Sequence, residues 1–355
     1  MSQPQEKIKV AILDDYQDIA ASKFAKLSDR IAVTLYPDTL NPKDASQKAE
    51  LIERLKPFPV ISSMRERTPF TREIISALPN LRYLLTTGTR NRGIDLEACA
   101  ERNVIVTGTK GSGPVSSAEL TPGSTTQHTW ALILGVARHL ARDDAAIKAG
   151  GWQTSFAVGL PGQTLGILGL GALGVAAAKI GVIAFGMKVK TWSTHLTQES
   201  ADEKAEKEGL PKGTFQVVSK EELFSTADVL SIHYVLSPRS VGIVGQGELN
   251  MMKSTSLLVN TSRGPLVNEA ALLDTLKQGK IAGAALDVFD TEPLPVDSPW
   301  RTTKWGEEGR SEVLLSPHMG YVERPVFERW YEEQADNLER WLNGEQVENI
   351  LRSSV

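Results

Sequence analysis

Leu165-Gly166-Ile167-Leu168-Gly169-Leu170-Gly171-Ala172-Leu173-Gly174-Val175-Ala176-Ala177-Ala178-Lys179-Ile180-Gly181 is an apolar run that ends in glycines spaced G-x-G-x-x-G and passes at once into an apolar segment of helical period. The pattern reads as strand, tight turn, helix, the opening unit of a dinucleotide-binding fold. Gly169 permits the sharp turn, Gly171 lets the backbone approach a pyrophosphate, and Gly174 lets the helix pack closely on the strand. Ala172 and Leu173 then open the helix, whose free N–H groups and positive dipole end face the phosphates.

Outward from this stretch, strands and helices alternate at short intervals. On the N-terminal side, strand-like runs lie at 7–13, 33–36, 59–62, 81–88 and 104–107, with helical segments at 16–27, 45–55 and 71–77. On the C-terminal side, strands are predicted at 187–192, 229–233, 256–260, 284–288 and 313–316. Helices are predicted at 199–209, 269–278 and 325–343. Such alternation predicts an α/β protein of two Rossmann-like, doubly wound domains with parallel sheets. Lys110–Ser124, rich in Gly, Ser and Pro, breaks the rhythm as an inserted loop or hinge. The apolar pattern through Trp130, Leu132, Ile133, Leu134, Val136 and Leu140 predicts one long helix over 125–142.

The 355 residues suffice for two domains with full cores. A net charge of −4 without a long basic run argues against a nucleic-acid partner. The single cysteine, Cys99, excludes an intrachain disulfide and a multi-cysteine metal cluster, and no metal site is expected. Residues 1–9 are polar and no run approaches a membrane span. The expectation is a soluble cytoplasmic protein acting on a small molecule.

Among the histidines, His128 and His139 fall inside the predicted long helix and read as packed or surface residues. His195 follows the strand at 187–192, at the surface or near a ribose, and His233 ends a strand near the cofactor. His318 stands apart, between Ser316-Pro317 at a strand's end and the turn Met319-Gly320. That is the carboxyl edge of the sheet, where doubly wound folds bind ligands. Arg263 also follows a buried strand, where a guanidinium can hold a carboxylate by two parallel hydrogen bonds. Glu292 precedes Pro293 beyond the next strand.

Gly169-x-Gly171-x-x-Gly174, Asn260-Thr261-Ser262-Arg263-Gly264-Pro265-Leu266-Val267, Leu286-Asp287-Val288-Phe289-Asp290-Thr291-Glu292-Pro293 and Ser316-Pro317-His318-Met319-Gly320 together resemble the ordered motifs of the D-isomer-specific 2-hydroxyacid dehydrogenases. The resemblance covers nearly the whole chain. It implies a discontinuous substrate domain, 1–124 with a C-terminal helix in 324–355, into which a cofactor domain at 125–323 is inserted. It implies that the protein interconverts 2-keto acids, such as glyoxylate, hydroxypyruvate or a bulkier one, and (R)-2-hydroxy acids. His318 would be the general acid, Glu292 would fix its tautomer, and Arg263 would grip the carboxylate and polarise the carbonyl. Thr261 would touch the cofactor and Asp287 would orient the nicotinamide carboxamide. The turn Thr87-Gly88-Thr89 resembles the loop whose backbone N–H groups receive the substrate carboxylate.

Two departures bear on specificity. Ser193 stands where NAD-preferring members carry an aspartate for the ribose hydroxyls, so NAD or NADP is expected, with His195 the nearest basic residue. Gln127 replaces a glutamate common in the long-helix segment. Arg65 and Arg90, which follow strand ends, are candidates for a second anionic group on the substrate, against salt bridges to Glu66 or Asp95. A homodimer built through 125–142 is implied by the family. A corepressor-like nucleotide sensor without turnover is the alternative function. Formate oxidation is disfavoured because Glu292 stands where those enzymes have glutamine. Phosphoglycerate oxidation is the lesser expectation, since no regulatory domain follows residue 355.

Overall fold

Residues alternate between the two faces of each strand, and this alternation builds two cores around the sheet that carries the glycine turn. Leu165 and Ile167 of the first strand, with Val229, Leu257 and Val259, join Trp130 and Ile133 on one face. Leu168, Leu230, Ile232 and Leu258 join Leu223, Phe224 and Leu276 on the other. Both faces are apolar because helices cover both, as in parallel sheets generally.

The computed structural model describes residues 6–111 and 123–352. Of the predicted loop or hinge at Lys110–Ser124, residues 112–122 lie outside the described residues. The chain divides into two units, Met1–Ala118 with Val322–Val355, and Glu119–Tyr321.

Unit 1 runs β1 (Ile8–Leu13), α1 (Ala20–Phe24), β2 (Ile31–Tyr36), α2 (Ala45–Leu55), β3 (Val60–Ser63), α3 (Arg72–Ser76), β4 (Tyr83–Thr86), α4 (Leu96–Glu101) and β5 (Ile105–Thr107). Its sheet is parallel, in the order β2-β1-β3-β4-β5. Unit 2 runs α5 (Ser124–Ala137), α6 (Leu140–Lys148), β6 (Thr164–Leu168), α7 (Ala172–Phe185), β7 (Lys188–Trp192), α8 (Gln198–Lys207), β8 (Phe215–Val217), α9 (Lys220–Thr226), β9 (Val229–Ile232), α10 (Gln246–Met251), β10 (Leu257–Asn260), α11 (Glu269–Lys277), β11 (Gly283–Leu286), α12 (Pro299–Thr302) and β12 (Glu312–Leu315). Its seven strands, all parallel, lie in the order β12-β11-β10-β9-β6-β7-β8. The last helix, α13 (Arg324–Leu342), belongs to unit 1. Both units have the doubly wound, Rossmann-type form, and in each the strand order reverses beside the first strand. Among the described residues no helix is long and apolar enough to cross a membrane.

One element departs from the sequence reading. The single helix predicted at 125–142 is two, α5 and α6, interrupted at Arg138–His139. His139 takes a left-handed conformation, φ 55°, which ends the hydrogen-bond ladder. Its ring is tied to the Glu312 carboxylate through Nδ1 and to the Phe156 carbonyl through Nε2. The apolar pattern up to Val136 is core: Trp130, Leu132, Ile133 and Val136 are buried, and Trp130 stacks on Phe185 at 4.6 Å. Leu140, which extended the pattern, is instead 60% exposed.

Candidate active site

Seven parallel strands end on one edge of unit 2, and the loops that follow them carry the functional candidates. The turn after β6 is the glycine motif. Gly169 has φ 99°, and a Cβ there would meet the His233 carbonyl oxygen at 2.7 Å. At Gly174 a Cβ would lie 2.2 Å from the Gly169 carbonyl oxygen, so helix α7 can approach the strand only without a side chain. Gly171 caps α7 with no side-chain hydrogen bond, and a Cβ there would meet nothing within 4 Å. The first turn of α7 therefore presents bare N–H groups to open space, a cradle that fits a dinucleotide pyrophosphate.

After β7, Ser193 is half-buried and His195 exposed. The Tyr234 hydroxyl lies 2.5 Å from Thr194 Oγ1. Burial pushes that phenol's pKa up, and hydrogen bonds with Thr194 and Ser193, helped by the Lys220 charge, bring it below the ordinary value. After β9, His233 Nε2 lies 2.9 Å from Ser231 Oγ. Desolvation lowers the His233 pKa to about 4, leaving the ring neutral at pH 7.

The turn after β10 is shaped by Asn260, whose side chain donates to the Arg263 carbonyl at 3.0 Å and accepts from the Ser262 N–H at 3.0 Å. Thr261 meets Thr129 of α5, Oγ1 to Oγ1, at 2.8 Å. A Cβ at Gly264 would lie 2.1 Å from the Phe289 carbonyl carbon, so this turn lies directly on the loop after β11. In that loop Glu292 accepts the Phe289 N–H on Oε1 at 2.9 Å, which leaves Oε2 for His318. The His318 Nδ1–Glu292 Oε2 distance is 2.6 Å. The ring also sits edge-on to Tyr321, 5.4 Å between centroids. With Nδ1 engaged by the carboxylate, Nε2 remains for another partner.

Asp287, 1% exposed, accepts the Met319 N–H on Oδ1 at 2.8 Å and the Gly320 N–H on Oδ2 at 3.0 Å. His128 Nε2 lies 3.0 Å from Oδ1. Burial alone raises the Asp287 pKa; hydrogen bonds from His128, Ser316 and the Met319 N–H outweigh it and hold the carboxyl below its usual range. His128 thus sits in this cluster. A helical context gave it a packing or surface role, and nothing in the spacing of residues 128 and 287 signals their meeting.

Unit 1 treats its candidates differently. The Gly88 N–H, expected to receive a carboxylate, donates to Thr109 Oγ1 at 2.8 Å, and Thr87 Oγ1 accepts the Arg65 N–H at 2.9 Å. A Cβ at Gly88 would lie 2.1 Å from Arg65 Nη1, so the Arg65 guanidinium covers this turn, with Glu66 at 3.8 Å. Thr89 and Arg90 are exposed. Asp95, one expected partner for these arginines, instead caps α4 and pairs with Arg72 at 3.6 Å.

The family model for the NAD binding domain of D-isomer specific 2-hydroxyacid dehydrogenases matches residues 130–320. The chain belongs to the D-isomer-specific 2-hydroxyacid dehydrogenase family. It is 31% identical to a glyoxylate reductase of Aeropyrum pernix over 92% of this chain and 96% of that one. It is 32% identical to a D-3-phosphoglycerate dehydrogenase of Methanocaldococcus jannaschii over 86% of this chain, but spans only 53% of that relative's length. Among solved structures, a phosphoglycerate oxidoreductase from Vibrio cholerae superposes with a TM-score of 0.78 at 34% identity, covering 95% of this chain and 99% of that one. Membership makes the protein an oxidoreductase of the 2-hydroxyacid class with a nicotinamide dinucleotide as cofactor.

Proposed function

We propose that the protein reduces small 2-keto acids to (R)-2-hydroxy acids, and runs the reverse oxidation, with His318 as general acid. The observation that carries this reading is the His318 Nδ1–Glu292 Oε2 contact at 2.6 Å, on the same sheet edge as the glycine cradle. When bound, the nicotinamide supplies hydride to the carbonyl carbon. His318 donates the Nε2 proton to the carbonyl oxygen, so that an alcohol rather than an alkoxide forms. Glu292, held by the Phe289 N–H, keeps the ring proton on Nδ1 and so turns Nε2 to the substrate. Arg263, whose Nη1 donates to the Ser262 carbonyl at 2.8 Å in the turn shaped by Asn260, holds the substrate carboxylate.

For the cofactor we propose NAD(H), with NADP(H) also accepted. The hydroxyls of Ser193, Thr194 and Tyr234 bond a ribose without repelling a 2′-phosphate, as a carboxylate at 193 would. In unit 1 we propose that the Arg65 guanidinium, over the Thr87-Gly88-Thr89 turn and with Arg90 nearby in sequence, takes a second anionic group on the substrate. A homodimer is supported by the exposed apolar side chains of α6 and the segment after it, Leu140 60%, Ile147 57%, Trp152 74% and Phe156 99%. That surface lies beyond α5, whose own apolar face is core. The single cysteine fits a reducing cytoplasm.

The test is turnover of glyoxylate, hydroxypyruvate, phosphohydroxypyruvate and a bulkier keto acid with NADH and with NADPH. His318→Ala should lower kcat by about 10³-fold while NADH still binds. Tight cofactor binding by the wild type without turnover of any keto acid would move the protein to the sensor class.

A further inference from the structure

His318 stands in a turn that its own backbone does not favour: its φ is 56°, in the left-handed region that a residue with a Cβ enters at a cost. The turn is held from beneath by Asp287, whose two oxygens take the N–H groups of the next two residues, Met319 and Gly320. Asp287 is in turn fixed by side chains. His128 Nε2 lies 3.0 Å from Asp287 Oδ1 and 2.9 Å from Ser316 Oγ, and Ser316 also hydrogen-bonds the carboxylate. A carboxylate has about four acceptor positions. Three of them are taken here by the Met319 and Gly320 N–H groups and by His128 Nε2, so Asp287 ties α5 to the His318 turn.

We infer that His128, on α5, is a positioning residue for the reaction: through Asp287 it fixes the turn that carries His318 and so sets the reach of the catalytic proton. The inference rests on the reading of His318 as the general acid. It gives α5 a task besides packing. Thr129, the next residue, bonds Thr261 in the turn before Arg263, so one helix braces the loops carrying both Arg263 and His318. His128 bonds Asp287 and Ser316, and through them it acts on where His318 Nε2 points. Misplacement of a catalytic group by about 1 Å can cost about 10²-fold in rate.

The experiment compares His128→Leu, which removes the donor, with His128→Gln, whose Nε2 donates at a similar reach, in the full-length protein. Steady-state kinetics with the best keto acid are paired with NADH titration and with exchange of the Met319 and Gly320 amide hydrogens. His128→Leu should lower kcat about 10-fold to 100-fold, leave KM and the NADH Kd within about twofold, and speed exchange at both amides about tenfold. His128→Gln should recover most of both. Unchanged kcat and exchange in His128→Leu would overturn the inference. So would equal losses in both variants that follow a common fall in Tm. Should His128→Leu fail to fold, Ser316→Ala removes the other side-chain donor to Asp287 and should show the same pattern at about threefold. Absence of turnover by the wild type would remove the proposed reaction, while the amide exchange still decides whether His128 holds the turn.

Discussion

The first βα turns of the two units are built on the same plan and do opposite things. In unit 2, β6 runs through Gly169 and Gly171 into α7, and no side chain caps the helix. In unit 1, β1 runs into Asp14 and Asp15, and Asp15 Oδ2 accepts the N–H groups of Ile19 and Ala20 at the start of α1, each at 2.8 Å. Asp14 is buried under Thr39, Thr68 and Arg67, and burial raises its pKa. One turn leaves its helix N-terminus open to an anion; the other fills it with its own carboxylate. A parallel sheet therefore offers a phosphate site only where the turn lacks a side chain of its own to answer the exposed N–H groups.

Breaking the open turn should have the largest effect. Gly174→Ala forces a methyl against the Gly169 carbonyl, 2.2 Å away, and should reduce NADH affinity by about 10³-fold with a loss of roughly 1–3 kcal/mol of stability. Fluorescence titration and denaturant unfolding read the two effects. Gly171→Asp is the sharper variant, since space is free there and the new carboxylate makes this turn like that of unit 1. NADH affinity should fall about 100-fold through like-charge opposition, while Tm holds or rises slightly. An affinity equal to wild type would refute the contrast drawn between the turns.

The loop lying against Gly169 supplies a pH-dependent test. His233 has its pKa lowered to about 4 in the folded protein, against about 6.5 when unfolded. The unfolded chain takes up the proton first, so this contribution to stability is complete above pH 6.5 and declines as pH falls toward 4. Between pH 7 and pH 5 the decline is at most about 2 kcal/mol, and His233→Gln should remove it from urea unfolding curves. Smallest is Asp15→Ala in unit 1, which uncaps α1. It should cost about 1 kcal/mol of stability and leave the NADH Kd of unit 2 untouched.

Much of this was legible in the chain. Short, nearly continuous apolar runs located β6, β9, β10 and β11 because both faces of each are buried. The four motifs named the family because strand ends carry the residues that do chemistry. What escaped was short or set by distant contacts. β8 has three residues, α9 and α10 are short and largely polar, and α5 ends where His139 turns left-handed to meet Glu312 and Phe156. The Thr87–Thr89 turn read as a carboxylate receiver, yet the Gly88 N–H goes to Thr109, 21 residues on.

By itself the sequence determined the two-sheet α/β plan, the glycine cradle and the order of Arg263, Glu292 and His318, because local period and turn chemistry are written in consecutive residues. The family resemblance implied that Glu292 meets His318, and the fold brings them to 2.6 Å; only the tertiary structure decided that Asp287 is engaged with the turn beside it and that His128 meets Asp287. Those partners are separated by 26 to 159 residues, and the parallel crossovers that bring their strand ends to one edge leave no fixed spacing in the chain.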